Sequence, residues 1–425
     1  MTPRPPVPSG GAGGRTRLRS DVVTFARLTG WGYFPIAFVG RLPFAMMIVG
    51  LLTLVATSRG SVAEAGAVAA VAGIGTAACG PGIGALADRH GQRRVLLAVG
   101  AVSVLSGAGM LAAVFAGLPL AALVAVAAVL GASTPQVSPF SRARLVGVAA
   151  TARDPQRRGR ATSLVMSYES IADESSFVLG PVLVGVLTAL IHPAAPLICS
   201  MAITATVIVA FALHRTGALV AHTLDRAGDD AGRRQSVAAL LLSPRILILL
   251  VAMFLVGGIF GSILTAVTAF MRERGEVEQS GIVYGAMSVG AIVIALAVAA
   301  FPARFGLPLR WVVFGVVALA GCSMLALAGS VPGVVIGLVL SGCGVGAVLV
   351  SLFSLGAHVA PAGRTTTVMT ALQSTLVVGQ ALVTAGSGVL VEVQDASAGF
   401  WATCALVAAL IVLGVVRLRQ PDSTA

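Results

Sequence analysis

An all-α polytopic membrane protein is predicted, with twelve transmembrane helices in two sets of six. Three observations carry this expectation. The 425 residues are 57% hydrophobic and 10% charged, with a mean hydropathy of +0.97, far outside the range of soluble domains. Twelve apolar runs each reach the roughly 20 residues that cross about 30 Å of hydrocarbon. A single long polar interruption, 214–244, divides them six and six, which invites a search for repeats.

Taken in order, residues 1–20 are rich in Pro, Gly and Arg and cannot bury an apolar face, so a disordered tail is expected. The next apolar run is too long for a signal-peptide core and has no small-residue cleavage site, so it should remain as a helix. Spans 1–6 are expected at 30–55, 64–87, 94–116, 118–140, 161–187 and 194–213, forming an N-terminal bundle over 21–213. Spans 7–12 are expected at 246–270, 280–302, 310–329, 333–357, 365–390 and 398–416, forming a C-terminal bundle over 245–417, with 418–425 as a tail. Trp31, Trp311 and Trp401 each open a span, as interfacial anchors do. The abundant glycines allow helices to approach closely in a membrane. Pro135 and Pro139 should bend span 4.

Arginine placement gives the orientation. Arg89, Arg93, Arg94 and a cluster from Arg142 to Arg160 fall in loops on the side of the N-terminus, whereas the opposite loops hold Arg59, Arg272 and Arg274 among several glutamates. Both termini are therefore expected in the cytoplasm. All 28 basic residues are arginines, which together with heavy Ala, Gly and Val usage suits a high-GC bacterial genome and a bacterial plasma membrane. The same loop clustering explains the net charge of +12 without nucleic acid. The five cysteines lie in apolar runs without CxxC spacing, and the five histidines lie at helix ends or in loops, so no disulfide and no metal site is indicated. No phosphate-cradling or hydrolase motif occurs, so an ATP-driven pump or an enzyme is not expected.

The segment SYESIADESSFVLGP, 167–181, places Glu169, Asp173 and Glu174 inside span 5. Each charge in hydrocarbon costs about 2.5–3.5 kcal/mol on insertion scales, so such residues mark functional sites. At 1.5 Å per residue, Glu169 lies roughly 10 Å and Asp173 roughly 16 Å deep, and Arg41 of span 1 lies about 15 Å deep. Glu169 and Asp173 share a face, and Glu174 points about 100° away from Asp173. One arginine cannot neutralise three carboxylates. The expectation is one ion pair plus one or two acids poised to exchange protons, although Arg41 with Asp173 also suits a plain tie between spans 1 and 5.

Aligning GRATSLVMSYES, 159–170, with GRTTTVMTALQS, 363–374, sets Glu169 against Gln373. Gln380 lies seven residues further on the same face. A cavity that hydrogen-bonds its ligand from the second half and handles charge from the first is expected, with Gln136 of span 4 as a further polar group. Arg142 and Arg144 are read as positive-inside anchors at the inner end of that span.

The loop between spans 2 and 3, GALADRHGQRRVL at 84–96, resembles the signature GxLADRxGRRxxL of the major facilitator superfamily through Gly84, Asp88, Arg89, Gly91, Arg93 and Arg94. Gln92 departs from it, where a basic residue is common. A worn echo, AFPARFGLPLRWVVFG, puts Ala303, Arg304, Gly306 and Gly315 each 215 residues after Asp88, Arg89, Gly91 and Gly100. Gly180 and Pro181 are similar to the helix-5 Gly-Pro element of the family's antiporters, GxxxxxxxxGPxxGG, with Ile171 and Val184 departing. The resemblance implies two six-helix bundles around a central cavity and alternating access. It also implies a latch in which Asp88 and the arginines tie span 2 to the start of span 11 near Gly363 and Arg364, a helix terminus suited to a carboxylate.

The function expected is proton-coupled export of a small organic compound or drug by alternating access, with Glu169, Asp173 or Glu174 exchanging protons against substrate. The alternatives are a proton-coupled importer of a small nutrient or organic anion recognised by Arg41, and a non-transporting membrane receptor. The partners expected are a small-molecule substrate, protons and the lipid bilayer, with a monomer and no cofactor.

Overall fold

The structure, a computed structural model, describes residues 29–150, 155–217, 236–276, 280–298, 301, 305–361 and 363–419. The expected N-terminal tail, most of the 214–244 linker, Ala303 and Arg304 of the echo, and residues 420–425 lie outside them. The described residues contain twelve membrane-length helices. The first six are α1 (Tyr33–Arg59), α2 (Glu64–His90), α3 (Gln92–Phe115), α4 (Leu120–Ala150), α5 (Arg158–Leu190) and α6 (Ala195–Leu213). The second six are α7 (Pro244–Arg272), α8 (Ser280–Val298), α9 (Leu307–Leu327), α10 (Val331–Val359), α11 (Thr365–Val391) and α12 (Ala396–Arg419). The protein is thus a multi-pass, all-α membrane protein whose two six-helix halves meet where α2 packs on α11, α5 on α8 and α10, and α4 on α11.

Backbone-to-backbone packing at glycines organises each half. Gly131 of α4 lies against the Ala72 carbonyl of α2, and Gly75 of α2 returns the contact against α4 at Ala128. The second half repeats the device: Gly290 of α8 meets the Val339 carbonyl of α10, and Gly342 of α10 meets that of Met287. Gly257 of α7 and Gly379 of α11 form another reciprocal pair against Leu376 and Phe254. These contacts supply the dispersion energy that lipid-immersed helices must use in place of a hydrophobic drive. Gly131→Val is therefore expected to destabilise the protein by about 1–3 kcal/mol through overpacking. Gly66→Val, which enters open space, should leave the midpoint unchanged in detergent-solubilised thermal unfolding.

Two helices are interrupted within the bundle. The helix of α1 stops at Val39 and restarts at Leu42, because Pro43 has no N–H for the Val39 carbonyl and opens the next helix. In α4, Pro135 holds Thr134 extended at ψ 118°, and the chain is non-helical over 134–136 before restarting at Val137. The bend expected of span 4 is therefore an unwinding, and that of α1 has no counterpart in the sequence reading. Pro181 and Pro81 sit inside continuous helices. Trp31 and Trp401 are 66% and 51% exposed, in keeping with interfacial placement. Trp311 corrects the expectation: it is fully buried and donates from Nε1 to the Leu410 carbonyl at 3.1 Å, closing α9 on α12.

Candidate functional site

The two interruptions meet beside α5, with Gly40 of α1 against the Val137 side chain of α4. Arg41 sits in the break of α1, buried, with Nη1 donating to the Ala37 carbonyl at 2.5 Å. Its Nε donates to Asp173 Oδ1 at 2.9 Å, and its Nη2 pairs with Glu169 Oε2. Since Glu169 and Asp173 are one turn apart, a single guanidinium spans both. From the restarted α4, Ser141 donates to Glu169 Oε1 at 2.6 Å and shares a hydrogen bond of 2.8 Å with the Tyr33 hydroxyl. Ser138 donates to Asp173 Oδ2 at 2.9 Å.

Arg142 corrects the sequence reading. Far from anchoring at the interface, it is buried, and its Nη2 donates to Asp173 Oδ2 at 2.5 Å. Its Nη1 donates to Ser138 Oγ at 2.7 Å and reaches Gln373 Oε1 at 3.4 Å. The guanidinium lies 3.6 Å from the centroid of the Phe353 ring on α10, within cation–π range. The cluster therefore holds two arginines for two carboxylates, with no surplus acid, and Arg142 carries it across to α10 and α11. The signal that could have found it is the spacing Ser138, Ser141, Arg142, which sets three polar side chains on one face of a helix opposite the face of Glu169 and Asp173.

Arg41, Phe44, Gln136, Ser138, Asp173 and Gln373 line a cavity of about 20 Å³, the space of one water molecule. A larger ligand requires the halves to part. Gln136 donates from Nε2 to the Thr76 carbonyl at 3.1 Å. Gly180 packs on the Ala45 backbone of α1, so the Gly180 and Pro181 element holds α5 beside this cavity. Gln380 lies apart from it, with its backbone against Gly257 and Gly261 of α7. Glu174 also leaves the group: it accepts from Ser288 of α8 at 3.2 Å, across the boundary of the two halves. The acidic trio thus divides into a paired couple and a single interface carboxylate. Among the described residues no three His, Cys, Asp or Glu are placed to hold a metal ion.

A second polar cluster closes one end of the boundary. Asp88, at the end of α2, accepts from the backbone N–H groups of Thr366 and Thr367 at 3.2 and 2.7 Å and from the Thr367 hydroxyl at 2.7 Å. This is the unsatisfied amino end of α11, where a carboxylate is favoured by both hydrogen bonds and the helix dipole. Gly84 abuts Thr366 and Thr370, and Gly91 adopts φ +87°, which ends α2 and turns the chain into α3. Arg89, Arg93 and Arg94 are exposed and form no ion pair among the described residues, so of the charged groups in this loop it is Asp88 that makes the tie. Gln92 gives its departure a reason. It donates to Thr366 Oγ1 at 3.1 Å and accepts from buried Arg144 at 2.8 Å, and Arg144 continues to the Phe211 carbonyl at 2.6 Å. A basic side chain at 92 would face that guanidinium.

Twelve spans in two matched halves, with a buried charged cluster at their junction and a capped helix closing one end, define a secondary-transporter architecture. The sequence over 33–384 matches the Major Facilitator Superfamily, and the chain belongs to it. Among solved structures it is similar to the human organic anion transporter MFSD10, with a TM-score of 0.67 at 18% identity over 93% of this chain and 99% of that one. It is also similar to a bacterial homologue of the iron transporter ferroportin in an outward-facing state, with a TM-score of 0.71 at 17% identity over 91% and 98% of the two chains. FucP, an E. coli fucose:proton symporter, matches in its outward conformation with a TM-score of 0.69 at 14% identity over 92% and 99%. No curated protein sequence matches the chain. At these identities the likeness to solved structures shows the fold.

Proposed function

We propose that this transporter couples protons to the movement of a small organic anion, with Asp173 and Glu169 as the proton-accepting groups and Arg41 and Arg142 as the anion-accepting ones. The observation that carries the reading is the exact balance of the cluster. With both acids ionised, each guanidinium is engaged and the cavity is neutral. A proton on Asp173 frees donors on both arginines and leaves one positive charge at a depth where an unpaired charge is costly. An anion entering with the proton restores balance, so proton and cargo bind together and move in the same direction. Two proteins of similar structure, an organic anion transporter and a fucose:proton symporter, support this chemistry by analogy.

In this reading the Asp88 end faces the cytoplasm, as do both termini, in the plasma membrane of a bacterium, and a monomer suffices. The contacts between the inner ends of α2 and α11 then describe a state closed to the inside. Proton-driven export of a cationic or neutral compound is the second reading. Glu174 favours it, being a carboxylate without a cationic partner among the described residues.

Purified protein in proteoliposomes, given small labelled carboxylates under an imposed acid-outside gradient, tests the proposal. Glu169→Gln is expected to lower gradient-driven uptake at least about tenfold while exchange of internal for external substrate continues, because the glutamine imitates a permanently protonated acid. Uptake that still follows the gradient at the wild-type rate in this variant would refute the assignment. Accumulation driven outward, abolished by a protonophore, would favour export.

A further inference from the structure

Three buried polar atoms beside the central cavity meet no hydrogen-bond partner among the described residues: Gln136 Oε1, Ser374 Oγ and Arg142 Nε. Each side chain is nearly sealed, at 7%, 4% and 1% exposure in that order. Such orphans are costly at membrane depth and call for an occupant. Gln136 cannot relieve its oxygen by rotating the amide, because Nε2 donates to the Thr76 carbonyl at 3.1 Å and the reversed amide would set oxygen against oxygen. Its Oε1 is therefore fixed as an acceptor.

Gln136 and Ser374 stand together over Gly80 of α2. A side chain at Gly80 would run into Ser374 Oγ and come within 3.1 Å of Gln136 Nε2. The glycine thus lets Ser374 of one half and Gln136 of the other close on the same stretch of α2, and Gln136 also lines the cavity with Arg41, Asp173 and Gln373.

We propose that Gln136 and Ser374 form a hydroxyl-recognition subsite and that the cargo is a small hydroxy carboxylate. This rests on the proton-coupled anion reading above. The carboxylate takes the donors that Arg41 and Arg142 release, and the cargo hydroxyl donates to Gln136 Oε1 while accepting from Ser374 Oγ. A hydroxyl is both donor and acceptor and satisfies the pair together. An ammonium cannot accept from Ser374 and would place a third cation beside Arg41 and Arg142. A methyl would leave both orphans unpaired, the kind of mismatch that a polar site rejects strongly.

The test compares matched pairs, lactate against propionate and malate against succinate, as labelled probes with full-length protein in proteoliposomes, after subtracting flux into protein-free vesicles. The expected result is about a tenfold preference for the hydroxy member in at least one pair. That ratio should fall towards one in Gln136→Leu and in Ser374→Ala. Ser374→Ala removes a hydroxyl that has no protein partner, so it decides the matter should Gln136→Leu misfold. Equal flux of both members in the wild type, or a preference that persists in Ser374→Ala, overturns the subsite and leaves proton-coupled anion transport standing. Absence of gradient-driven flux for every probe overturns both.

Discussion

Replacing Arg142 with alanine is expected to reduce gradient-driven transport at least about 100-fold. The variant leaves Asp173 with Arg41 and Ser138 alone, gives the cluster one net negative charge, and removes the link to Gln373 and Phe353 of the second half. Removing one partner of a buried pair costs about 3–5 kcal/mol, most of it from the charge left behind. Arg142→Lys should not restore activity, because a point ammonium cannot stack on Phe353 and still donate to Asp173, Ser138 and Gln373. Arg142→Ala combined with Asp173→Ala restores neutrality, and its thermal midpoint should recover while transport does not. Wild-type uptake by Arg142→Ala, measured in proteoliposomes, would return this residue to the interfacial role its sequence position suggests.

Asp88→Ala should have the next largest effect, on conformation. Three hydrogen bonds to the start of α11 disappear together, and charge-assisted bonds of this kind contribute about 1.5–3 kcal/mol each before non-additivity. The population closed at this end is expected to fall, with transport down at least tenfold. Thr370 is 1% exposed between α2 and α11. A cysteine at Thr370, in a background lacking the native cysteines, should be labelled by maleimide about tenfold faster when Asp88 is alanine. Asp88→Asn, which retains one acceptor oxygen, should lie between. An unchanged labelling rate would show that other contacts hold this end shut.

The arrangement of twelve spans was legible because hydropathy over membrane thickness is a strong constraint and the GALADRHG loop falls between the second and third. The Asp88 contact was legible through the resemblance, which implied a latch from span 2 to the start of span 11, a helix terminus suited to a carboxylate. Arg41 and Asp173 could be placed at one depth by counting rise along a helix, with Glu169 one turn away on the same face. Arg142 could not. A hydropathy reading ends span 4 at 140, before its own charges, whereas the helix runs on to Ala150. The residues that dilute the apolar signal are the ones the cavity uses. The unwound turn over 134–136 also breaks the arithmetic of depth, and the partner of Glu174 lies 114 residues away on α8, beyond the reach of any local pattern. Gln92 was visible only as a mismatch until Arg144 stood beside it.

The reciprocal glycine contacts set what kind of machine this can be. Where carbonyl meets glycine on both sides, as between α2 and α4, α8 and α10, or α7 and α11, the two helices are geared together without slack, and a gap of about 0.5–1 Å already forfeits a quarter to a half of the dispersion energy. Such gears resist slipping, so α2 with α4, α8 with α10 and α7 with α11 are expected to move as stiff pairs. Between α2 and α11 the glycines instead press on hydroxyl side chains, Ser374 and Thr370, which can swivel aside. The plane between α2 and α11 is thus the one expected to part, with compliance from the two unwound turns beside the charged cluster.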